Sequence, residues 1–367
     1  MLTKFAVTNY RGFSNRIEWD LSNPANYEFN RHAIKDGIIK NGIIYGPNGS
    51  GKSNFSLALF DIEYHLSHKW KKFDYYNNFI YAGDKTGIVT FEYSFRFGDD
   101  IINYIYGKNS EGLLIEESLF VNHKNIFERK KNSFRIDKTQ FPIDGNVEKS
   151  LEENANNVSI INYLVTSFPL GVDHYLIKLT GFVNSMLWFR SLDVREFIGL
   201  DTRVTALDEF IISNNLLEDF SEFLYKVSGQ KFTFLDHSST DKEILCVIEN
   251  NTIPFKHVAS TGTGSLQLLY FWLKRMNEAS FVFIDEFDAF YHFRLAFEVC
   301  KQLFKLDCQI FTSSHNTYLM TNDLLRPDCN FILNNNKIKC LADCTDKELR
   351  FGHNIEKIYR AGAFYDE

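Results

Sequence analysis

Proline, paired cysteines and long apolar runs are all scarce in this chain of 367 residues. Its 6 cysteines form no Cys-x-x-Cys pair, and the one close pair, Cys340 and Cys344, has an unusual spacing for zinc and no second ligand pair. No run approaches the roughly 20 apolar residues that cross a bilayer, and the N-terminus lacks a signal-peptide core. These absences predict a cytoplasmic protein with reduced thiols, without zinc and without a membrane segment.

An excess of positive charge is also missing. The net charge is −7, which argues against a surface covered in Lys and Arg for nonspecific DNA binding, although a local basic groove stays open as an alternative. Hydrophobic residues make up 44% of the chain and charged residues 24%, the balance of a globular protein with a proper core. With 36 Phe and 18 Tyr, that core is expected to be rich in aromatic rings.

The first part of the chain shows strand patterns and then a strand, a loop and a helix. Alternation of polar and apolar residues predicts two antiparallel strands, around Lys4–Thr8 and Arg16–Ser22. The short apolar run Asn41–Tyr45 stops at a glycine-rich loop, and the apolar-rich segment Phe55–Leu66 follows as a helix. The order of these three elements is the basis for the motif described below.

In the middle of the chain the pattern of apolar residues predicts strands first and then helices. Alternation over Val89–Phe97 and the runs Ile101–Tyr106, Leu113–Val121 and Phe134–Ile136 predict a meander. The basic segment Arg129–Asn132 within it is interpreted as a solvated hairpin turn, with a phosphate-binding patch as the alternative. From about residue 154 to 227 apolar residues recur at helical spacing, for example at Ile161, Leu164, Val165 and Phe168.

After residue 229 short apolar strands alternate with helices, including Phe281–Ile284 and Gln309–Thr312. Such alternation is typical of a parallel sheet, so the fold class is predicted as α/β, with an N-terminal antiparallel β part. The predicted ATPase core comprises residues 1–95 and 229–345. Residues 96–228 are expected to form an inserted β-meander and helical subdomain, and residues 346–367 a C-terminal tail.

The strongest motif is Gly46–Ser53, which matches the P-loop pattern GxxxxGK[ST] and stands between a predicted strand and a predicted helix. Glycines let backbone N–H groups converge on phosphates, and the helix N-terminus adds its positive dipole end. Lys52 is expected to neutralise the β and γ phosphates, and the Ser53 hydroxyl to bind Mg²⁺. The candidate nucleotide-binding residues of this loop are Gly46, Pro47, Asn48, Gly49, Ser50, Gly51, Lys52 and Ser53.

Three further groups of polar residues follow or precede apolar elements. Asp285 and Glu286 end a strand, where Asp285 can hold Mg²⁺ through water and Glu286 can polarise the attacking water. Ala259–Thr263 opens a helix and provides an anion-binding N-terminus, or by itself an ordinary helix cap. His315 follows the strand Gln309–Thr312 at the same sheet edge, although an isolated His is more often a loop residue.

As an ordered set, these segments resemble the ATP-binding-cassette ATPase heads of the SMC, Rad50 and RecF kind. Gly46–Ser53 is similar to Walker A, Asp285-Glu286 to Walker B, His315 to the switch histidine, and Asp288 lies at the D-loop position. Ala259–Thr263 resembles the LSGGQ signature without its second glycine and its glutamine, and the matching positions are Ser260, Gly262 and Thr263. The resemblance implies that these three residues bind nucleotide and that Glu286 and His315 are catalytic.

The N-terminal segment Asn9–Phe13 also looks like a motif of that family, whose arginine approaches the bound nucleotide. The resemblance therefore implies that Arg11 binds nucleotide, together with Asn54, which follows the P-loop. A Q-loop glutamine is not found before the meander, since the first Gln of the chain is Gln140. The segment between Ser53 and Ser260 is too short and too poorly heptad-patterned for a long SMC rod.

Within this class, the sequence looks most like the small bacterial AAA family ATPases related to the overcoming-lysogenization-defect (OLD) and RloA-like proteins. The segments Asp285–His292 and Arg350–Phe364 carry that likeness. OLD proteins have a Toprim nuclease after the ATPase, and the residues after His315 are too few for one. By analogy, the likeness implies an ATPase whose effector is a separate protein, as in two-gene antiphage systems.

The resemblance implies ATP and Mg²⁺ as cofactors and a homodimer or higher homo-oligomer that closes around nucleotide. It implies an ATP-hydrolysing sensor or scaffold of a bacterial antiviral defence system that controls a separate effector or toxin protein. The alternative is a RecF-like or Rad50-like ATPase in DNA repair or maintenance, which requires a basic groove. A transporter ATPase subunit is disfavoured by the size of the insertion and the missing Q-loop glutamine.

Overall fold

The structure is a computed structural model that describes residues 1–67, 75–130, 133–153, 158–190, 197–199, 206–235 and 242–364. In chain order its strands are β1 (Leu2–Thr8), β2 (Ile17–Asp20), β3 (Ile34–Lys35), β4 (Ile38–Ile39), β5 (Asn41–Tyr45), β6 (Ile88–Phe97), β7 (Asp100–Asn109), β8 (Leu114–Val121), β9 (Lys124–Lys130), β10 (Ser133–Ile136), β11 (Met186–Arg190), β12 (Phe197–Gly199), β13 (Leu245–Ile248), β14 (Asn251–Pro254), β15 (Phe281–Asp285), β16 (Gln309–Ser314), β17 (Asn330–Asn334) and β18 (Lys337–Cys340).

The α-helices are listed in the same way. They are α1 (Lys52–Leu59), α2 (Asp61–Leu66), α3 (Gly145–Glu153), α4 (Ile160–Ser167), α5 (Tyr175–Asn184), α6 (Leu207–Ser213), α7 (Leu217–Ser228), α8 (Phe255–Val258), α9 (Thr261–Arg275), α10 (Phe293–Leu303) and α11 (Ile355–Arg360). Within the described residues, no helix is both long enough and apolar enough to span a bilayer.

A central sheet of seven strands has the order β12-β11-β15-β16-β5-β17-β18. Its five inner strands run parallel, and the two edge strands are antiparallel to their neighbours. Strands β5, β15 and β16 are buried along their whole length. This burial explains the apolar run of β15, whereas β16 ends in three buried hydroxyl residues, Thr312 to Ser314. Because β16 lies between β5 and β15, the residues that follow these three strands meet at one edge of the sheet.

The second large sheet is antiparallel, with the order β10-β9-β8-β7-β6-β1-β2. Along β6 buried and half-buried residues alternate, as expected for a strand with one face against the core. The N-terminal strand pair and the meander are therefore parts of one sheet, which crosses the predicted boundary at residue 95. The structure confirms the predicted fold, a P-loop α/β architecture with an N-terminal antiparallel part.

Helix α1 lies between the two sheets. Its Phe55 contacts Phe5 and Trp19 of the antiparallel sheet, with ring centroids 5.4 and 5.6 Å apart. Trp19 also packs edge-on against Phe311 of the central sheet, 4.6 Å away. Tyr93 of the same antiparallel sheet donates its hydroxyl to the carbonyl oxygen of Ala58 at 3.1 Å. Phe60, at the end of the helix, packs against Phe281 of the central sheet with ring centroids 6.0 Å apart. Aromatic packing therefore fixes the helix that begins at Lys52 against both sheets.

Two strands of the segment that was expected to be an insertion belong to the central sheet. The helical spacing in this segment is confirmed for α4, but β11 pairs parallel with β15, and β12 forms the edge beside it. The prediction of a wholly helical texture after residue 154 is wrong for β11. Met186–Phe189 is a run of four apolar residues, and periodicity alone does not distinguish so short a buried strand from a helix.

The prediction of a solvated turn at Arg129–Asn132 is wrong for Arg129. This residue lies in β9, only 1% of it is exposed, and its guanidinium bonds the buried carboxylate of Glu117 at 2.9 Å. The same guanidinium donates to the carbonyl oxygens of Leu151 and Val158. Lys131 and Asn132 lie outside the described residues. Arg129 thus places a positive charge inside the sheet. The sheet tolerates this buried charge because it is paired with the carboxylate of Glu117.

Candidate functional site

Glycines allow the close backbone packing of the loop between β5 and α1. Gly49 and Gly51 adopt φ angles of 78° and 98°, in the left-handed region that favours glycine. A Cβ on Gly51 would lie 2.8 Å from the ring of Phe13, and one on Gly46 would lie 2.5 Å from the carbonyl oxygen of Leu333. The loop therefore needs glycine at these positions, as a phosphate-binding loop does.

Lys52 is a buried cation at the start of α1, 6% exposed. Its Nζ donates to the carbonyl oxygens of Gly46 and Pro47 at 2.8 and 3.2 Å, and lies 3.4 Å from Nδ1 of His315. Burial lowers the pKa of Lys52, and the negative charges of Asp285 and Glu286 oppose this effect. The P-loop lysine, the two acidic residues and the histidine thus interact electrostatically in one chain.

Other residues predicted to bind nucleotide lie close to this lysine in the loop, in helix α1 and in the turn that carries Arg11. The Ser50 hydroxyl is buried and has no hydrogen-bond partner within the described residues. Ser53 and Asn54 are the second and third residues of α1. Asn54 accepts a hydrogen bond from the Arg11 guanidinium at 3.0 Å, and Arg11 itself has a left-handed φ of 46°. The turn that carries Arg11 is therefore connected directly to the helix that carries the P-loop.

Asp285 ends β15 and is completely buried. Its Oδ1 accepts from the Ser313 hydroxyl at 2.6 Å, and its Oδ2 accepts from Nε and Nη2 of Arg190 at 3.2 and 3.1 Å. The backbone N–H of Glu286 donates to the same Ser313 hydroxyl at 2.8 Å. One hydroxyl group therefore holds both acidic residues in place, and one guanidinium neutralises the first of them.

Glu286 has a left-handed φ of 50°, which costs a non-glycine residue on the order of 1 kcal/mol. Such strain is tolerated where the surrounding structure fixes the backbone, as the bond to Ser313 does here. The next acidic residue, Asp288, accepts from the Ser314 hydroxyl at 2.7 Å, and burial raises the pKa of its carboxyl group. The turn after β15 is thus held by two consecutive serines of β16.

A cleft of about 550 Å³ opens beside these groups. Asn48 of the P-loop lines one part of it, Glu286 and Asp288 another, and His315 a third. The cleft is therefore placed where a phosphate chain held by the P-loop would meet the carboxylate of Glu286. Polar atoms of the P-loop and of the turn after β15 share it with the aromatic rings of Tyr291 and Phe293.

The proximity of Lys52 to His315 gives a testable electrostatic effect. Partial desolvation of the ring and the positive charge of Lys52 lower the pKa of His315, so the ring is neutral at pH 7. We expect an NMR titration of the nucleotide-free protein to give His315 a pKa below 6.5. In Lys52→Ala this pKa should rise, because the adjacent cation is removed. An unchanged His315 titration in the folded variant would contradict the contact, and the other histidines serve as internal controls.

The signature-like residues form a separate group at the N-terminus of α9. The Ser260 side chain caps the helix by accepting from the backbone N–H of Thr263 at 3.2 Å, and the Thr263 hydroxyl donates to Gln230 at 3.0 Å. A Cβ on Gly262 would lie 3.0 Å from the carbonyl oxygen of Phe290. Within the described part of the chain, no hydrogen bond joins Ser260, Gly262 or Thr263 to the P-loop of the same subunit.

Sequence reasoning missed two polar contacts of the site. The sequence pattern gives Ser313 no role beyond its place before His315, and it predicts that Arg190 lies in the helical part of the insertion. A signal was present for Arg190: the buried run Met186–Phe189 has the length and the apolar character of an inner strand in a parallel sheet. The contact between Arg190 and Asp285 follows only from the strand register, which sequence does not show.

The residues present fit a nucleoside triphosphate and a divalent cation. The loop has the glycines, a buried lysine bound to loop carbonyls and an unpartnered buried hydroxyl at Ser50. Ser53 and Asp285 supply the oxygen ligands that Mg²⁺ prefers. No group of three or more His, Cys, Asp or Glu residues that could form a metal cage by itself occurs in the described ranges. A cation here would therefore share its coordination with phosphate oxygens, as Mg²⁺ commonly does.

Comparison with known proteins gives a family match over residues 43–321, more than half of the chain. The matching family is described as "AAA domain, putative AbiEii toxin, Type IV TA system". The match includes the P-loop, the signature-like residues, both acidic residues and His315. No curated protein matches the chain in sequence.

Solved structures of SMC head domains are similar in architecture. An SMC head bound to the C-terminal winged-helix domain of ScpA has a TM-score of 0.48 and 14% identity, covering 92% of this chain and 96% of its own. The SMC head domain from Thermotoga maritima has a TM-score of 0.44 and 17% identity, covering 92% and 97%. An SMC head from Pyrococcus furiosus bound to the C-terminal domain of ScpA has a TM-score of 0.45 and 15% identity, covering 92% and 95%.

Proposed function

Because the chain belongs to the AAA-domain family with the toxin–antitoxin description, we propose that it binds and hydrolyses ATP with Mg²⁺ and controls a separate effector protein in bacterial antiviral defence. One observation carries the ATPase part of this proposal. The P-loop lysine, two acidic residues and a histidine come from three adjacent strands of a parallel sheet and meet at its carboxyl edge. Phosphoryl transfer depends mainly on such positioning and on neutralisation of charge.

Each residue has a specific role in this proposal. The P-loop backbone and Lys52 hold the phosphates, Ser53 and Asp285 hold the metal ion, and Arg11 supports the nucleotide through its contact with Asn54. The metal ion supplies neutralisation of the charge on the phosphates when it is bound. Glu286 orients and polarises the attacking water from the wall of the cleft, and His315 stands beside the phosphates next to Lys52.

The proposed active form is a homodimer or higher homo-oligomer with nucleotide between its subunits. The α9 N-terminus, with Ser260, Gly262 and Thr263, offers N–H groups and hydroxyls suited to an anion. Among the described residues it forms no hydrogen bond with the P-loop of its own chain. In a dimer, this helix end would contact the nucleotide on the P-loop of the other subunit. ATP would then join the subunits, and hydrolysis would release them.

In the cell, the proposed role of the protein is that of a sensor or scaffold. The description of the family as a toxin–antitoxin type supports a role in which a nucleotide state holds or releases a toxic partner. Such a partner would be recognised only when ATP has joined the subunits. Hydrolysis of ATP would therefore control whether the effector is held or released. The proposed core that binds ATP comprises residues 1–95 and 229–345, to which the central-sheet strands β11 and β12 are added. The rest of the segment 96–228 is left to contact the partner.

The experiment is purification of the tagged wild-type protein from its native host with a non-hydrolysable ATP analogue. The Lys52→Ala variant, prepared in the same way, is the control. A stoichiometric protein that accompanies the wild type and is absent from the control would support the scaffold. Nuclease-sensitive DNA in place of that protein, with ATP turnover stimulated by DNA, would contradict it and favour the RecF-like alternative.

A further inference from the structure

The guanidinium of Arg190 lies against the carboxylate to which the magnesium ligand role has been assigned. Strands β11 and β15 pair in parallel, with Arg190 in register with Asp285. Nε and Nη2 of Arg190 lie 3.2 and 3.1 Å from Oδ2 of Asp285. The other carboxylate oxygen accepts from Ser313, so both oxygens of this completely buried group have a protein partner.

The face of β11 that carries Arg190 is the face that packs on the P-loop helix. Trp188, two residues earlier and therefore on the same side of the strand, donates from Nε1 to the Ser56 hydroxyl of α1 at 3.0 Å. Ser56 in turn donates to the carbonyl oxygen of Ser53 at 3.0 Å. A short chain of hydrogen bonds thus connects β11 to the residue whose hydroxyl is the second proposed magnesium ligand.

We propose that Arg190 is a positioning residue that competes with Mg²⁺ for Asp285 and so sets the metal concentration that the site requires. This inference rests on the proposed ATPase function. A divalent cation, or the water it carries, must approach the oxygen that the guanidinium now occupies, and two positive charges next to one carboxylate repel each other. Metal binding therefore requires Arg190 to release Asp285.

The guanidinium that bonds Asp285 also lies against an aromatic ring. Its central carbon is 5.9 Å from the centroid of the Trp188 ring, within the range of a cation–π contact, and this contact can persist when the bonds to Asp285 are broken. The side chain of Arg190 is 25% exposed, whereas Asp285 is fully buried, so the arginine is the partner with room to move. The released arginine would stay beside the P-loop helix and could return to Asp285 when the cation leaves.

The test measures metal binding directly in Arg190→Gln and Arg190→Lys. Mn²⁺, used as the probe, is titrated into protein saturated with a non-hydrolysable ATP analogue, and free Mn²⁺ is followed by electron paramagnetic resonance. We expect half-saturation in Arg190→Gln at about tenfold lower Mn²⁺ than in the wild type, because a charge-assisted competitor is removed. Arg190→Lys, which keeps the charge, should lie between the two. The Mg²⁺ concentration for half-maximal ATP turnover should fall in parallel.

The control is Arg350→Gln, which removes an arginine paired with Glu348 on the surface, both more than two thirds exposed. It should leave the metal titration unchanged. Thermal melting identifies a variant that is not folded, and Arg190→Lys then replaces Arg190→Gln in the comparison. Agreement between titrations at pH 7 and pH 8 shows that protons do not cause the effect. An unchanged or weaker Mn²⁺ affinity in a folded variant would overturn the inference, whereas a wild type that binds no ATP would overturn the proposed function instead.

Discussion

Replacing Glu286 by Gln is expected to reduce ATP turnover by about 10²–10³-fold while ATP binding is retained, because a positioned carboxylate that polarises the attacking water contributes that much to the rate. Gln has nearly the same shape as Glu, so the cleft and the hydrogen bond from the backbone N–H of Glu286 to Ser313 should persist. Trapped ATP should also keep the proposed dimer joined. Phosphate release measures turnover, and light scattering measures the dimer.

The backbone strain at Glu286 is the same in the wild type and in Glu286→Gln, so the comparison of the two proteins isolates the effect of the carboxylate charge. The left-handed φ of 50° at Glu286 is imposed by the backbone and is the same for Glu and Gln, so the substitution changes charge and leaves the conformational cost unaltered. Glu298→Gln in α10 is the control, since Glu298 is half-buried and pairs with Lys301 across one helical turn. Turnover at the wild-type rate in Glu286→Gln would show that another group activates water.

Replacing Lys52 by Ala is expected to weaken ATP binding by about 10²-fold, because charge-assisted hydrogen bonds to phosphate are among the strongest a side chain makes. The buried Nζ is already oriented by the carbonyl oxygens of Gly46 and Pro47, so little side-chain entropy remains to be lost on binding. The measurement is a titration with a fluorescent ATP analogue, followed by calorimetry with ATP.

The chain contains a matched control for this lysine at the opposite end of the same strand. Lys40 precedes β5, is 7% exposed, and donates from Nζ to the carbonyl oxygen of Leu306 at 2.9 Å. Lys40→Ala should lower the melting temperature without changing ATP affinity, since it lies at the other edge of the sheet. If both variants lost ATP affinity equally, the loss would reflect folding and Lys52 would not be a phosphate ligand.

Local sequence patterns predicted the elements that carry the P-loop, the acidic pair and the histidine. The strand Asn41–Tyr45 is confirmed with its predicted bounds, and the strand predicted over Phe281–Ile284 extends by one residue to Asp285. Each of these strands stops directly before the motif it carries, Gly46–Ser53 or Asp285-Glu286, and that position identifies a strand where the short apolar run alone would not. The P-loop motif and the strand pattern agree at these positions, because a phosphate-binding loop must stand between a strand and a helix.

The predictions failed where the partner of a side chain lies on a neighbouring strand. Arg129 is paired with Glu117 across two neighbouring strands, and a charged residue beside other charges gives no sign of such a partner. Likewise, Arg190 and Asp285 are separated by 95 residues and meet only because β11 and β15 are neighbours. Buried ion pairs depend on register, and register is a property of the assembled sheet.

Strand β16 brings the Ser313 hydroxyl to both Asp285 and the backbone of Glu286, and the Ser314 hydroxyl to Asp288. These three acidic residues therefore share one rigid support, and a displacement of β16 along its axis would move all of them together. Strand β16 is itself hydrogen-bonded to β15 on one side and to β5 on the other. The strand that leads into the P-loop and the turn that carries the acidic residues are therefore attached to the same central strand, which fixes the spacing between the two halves of the site.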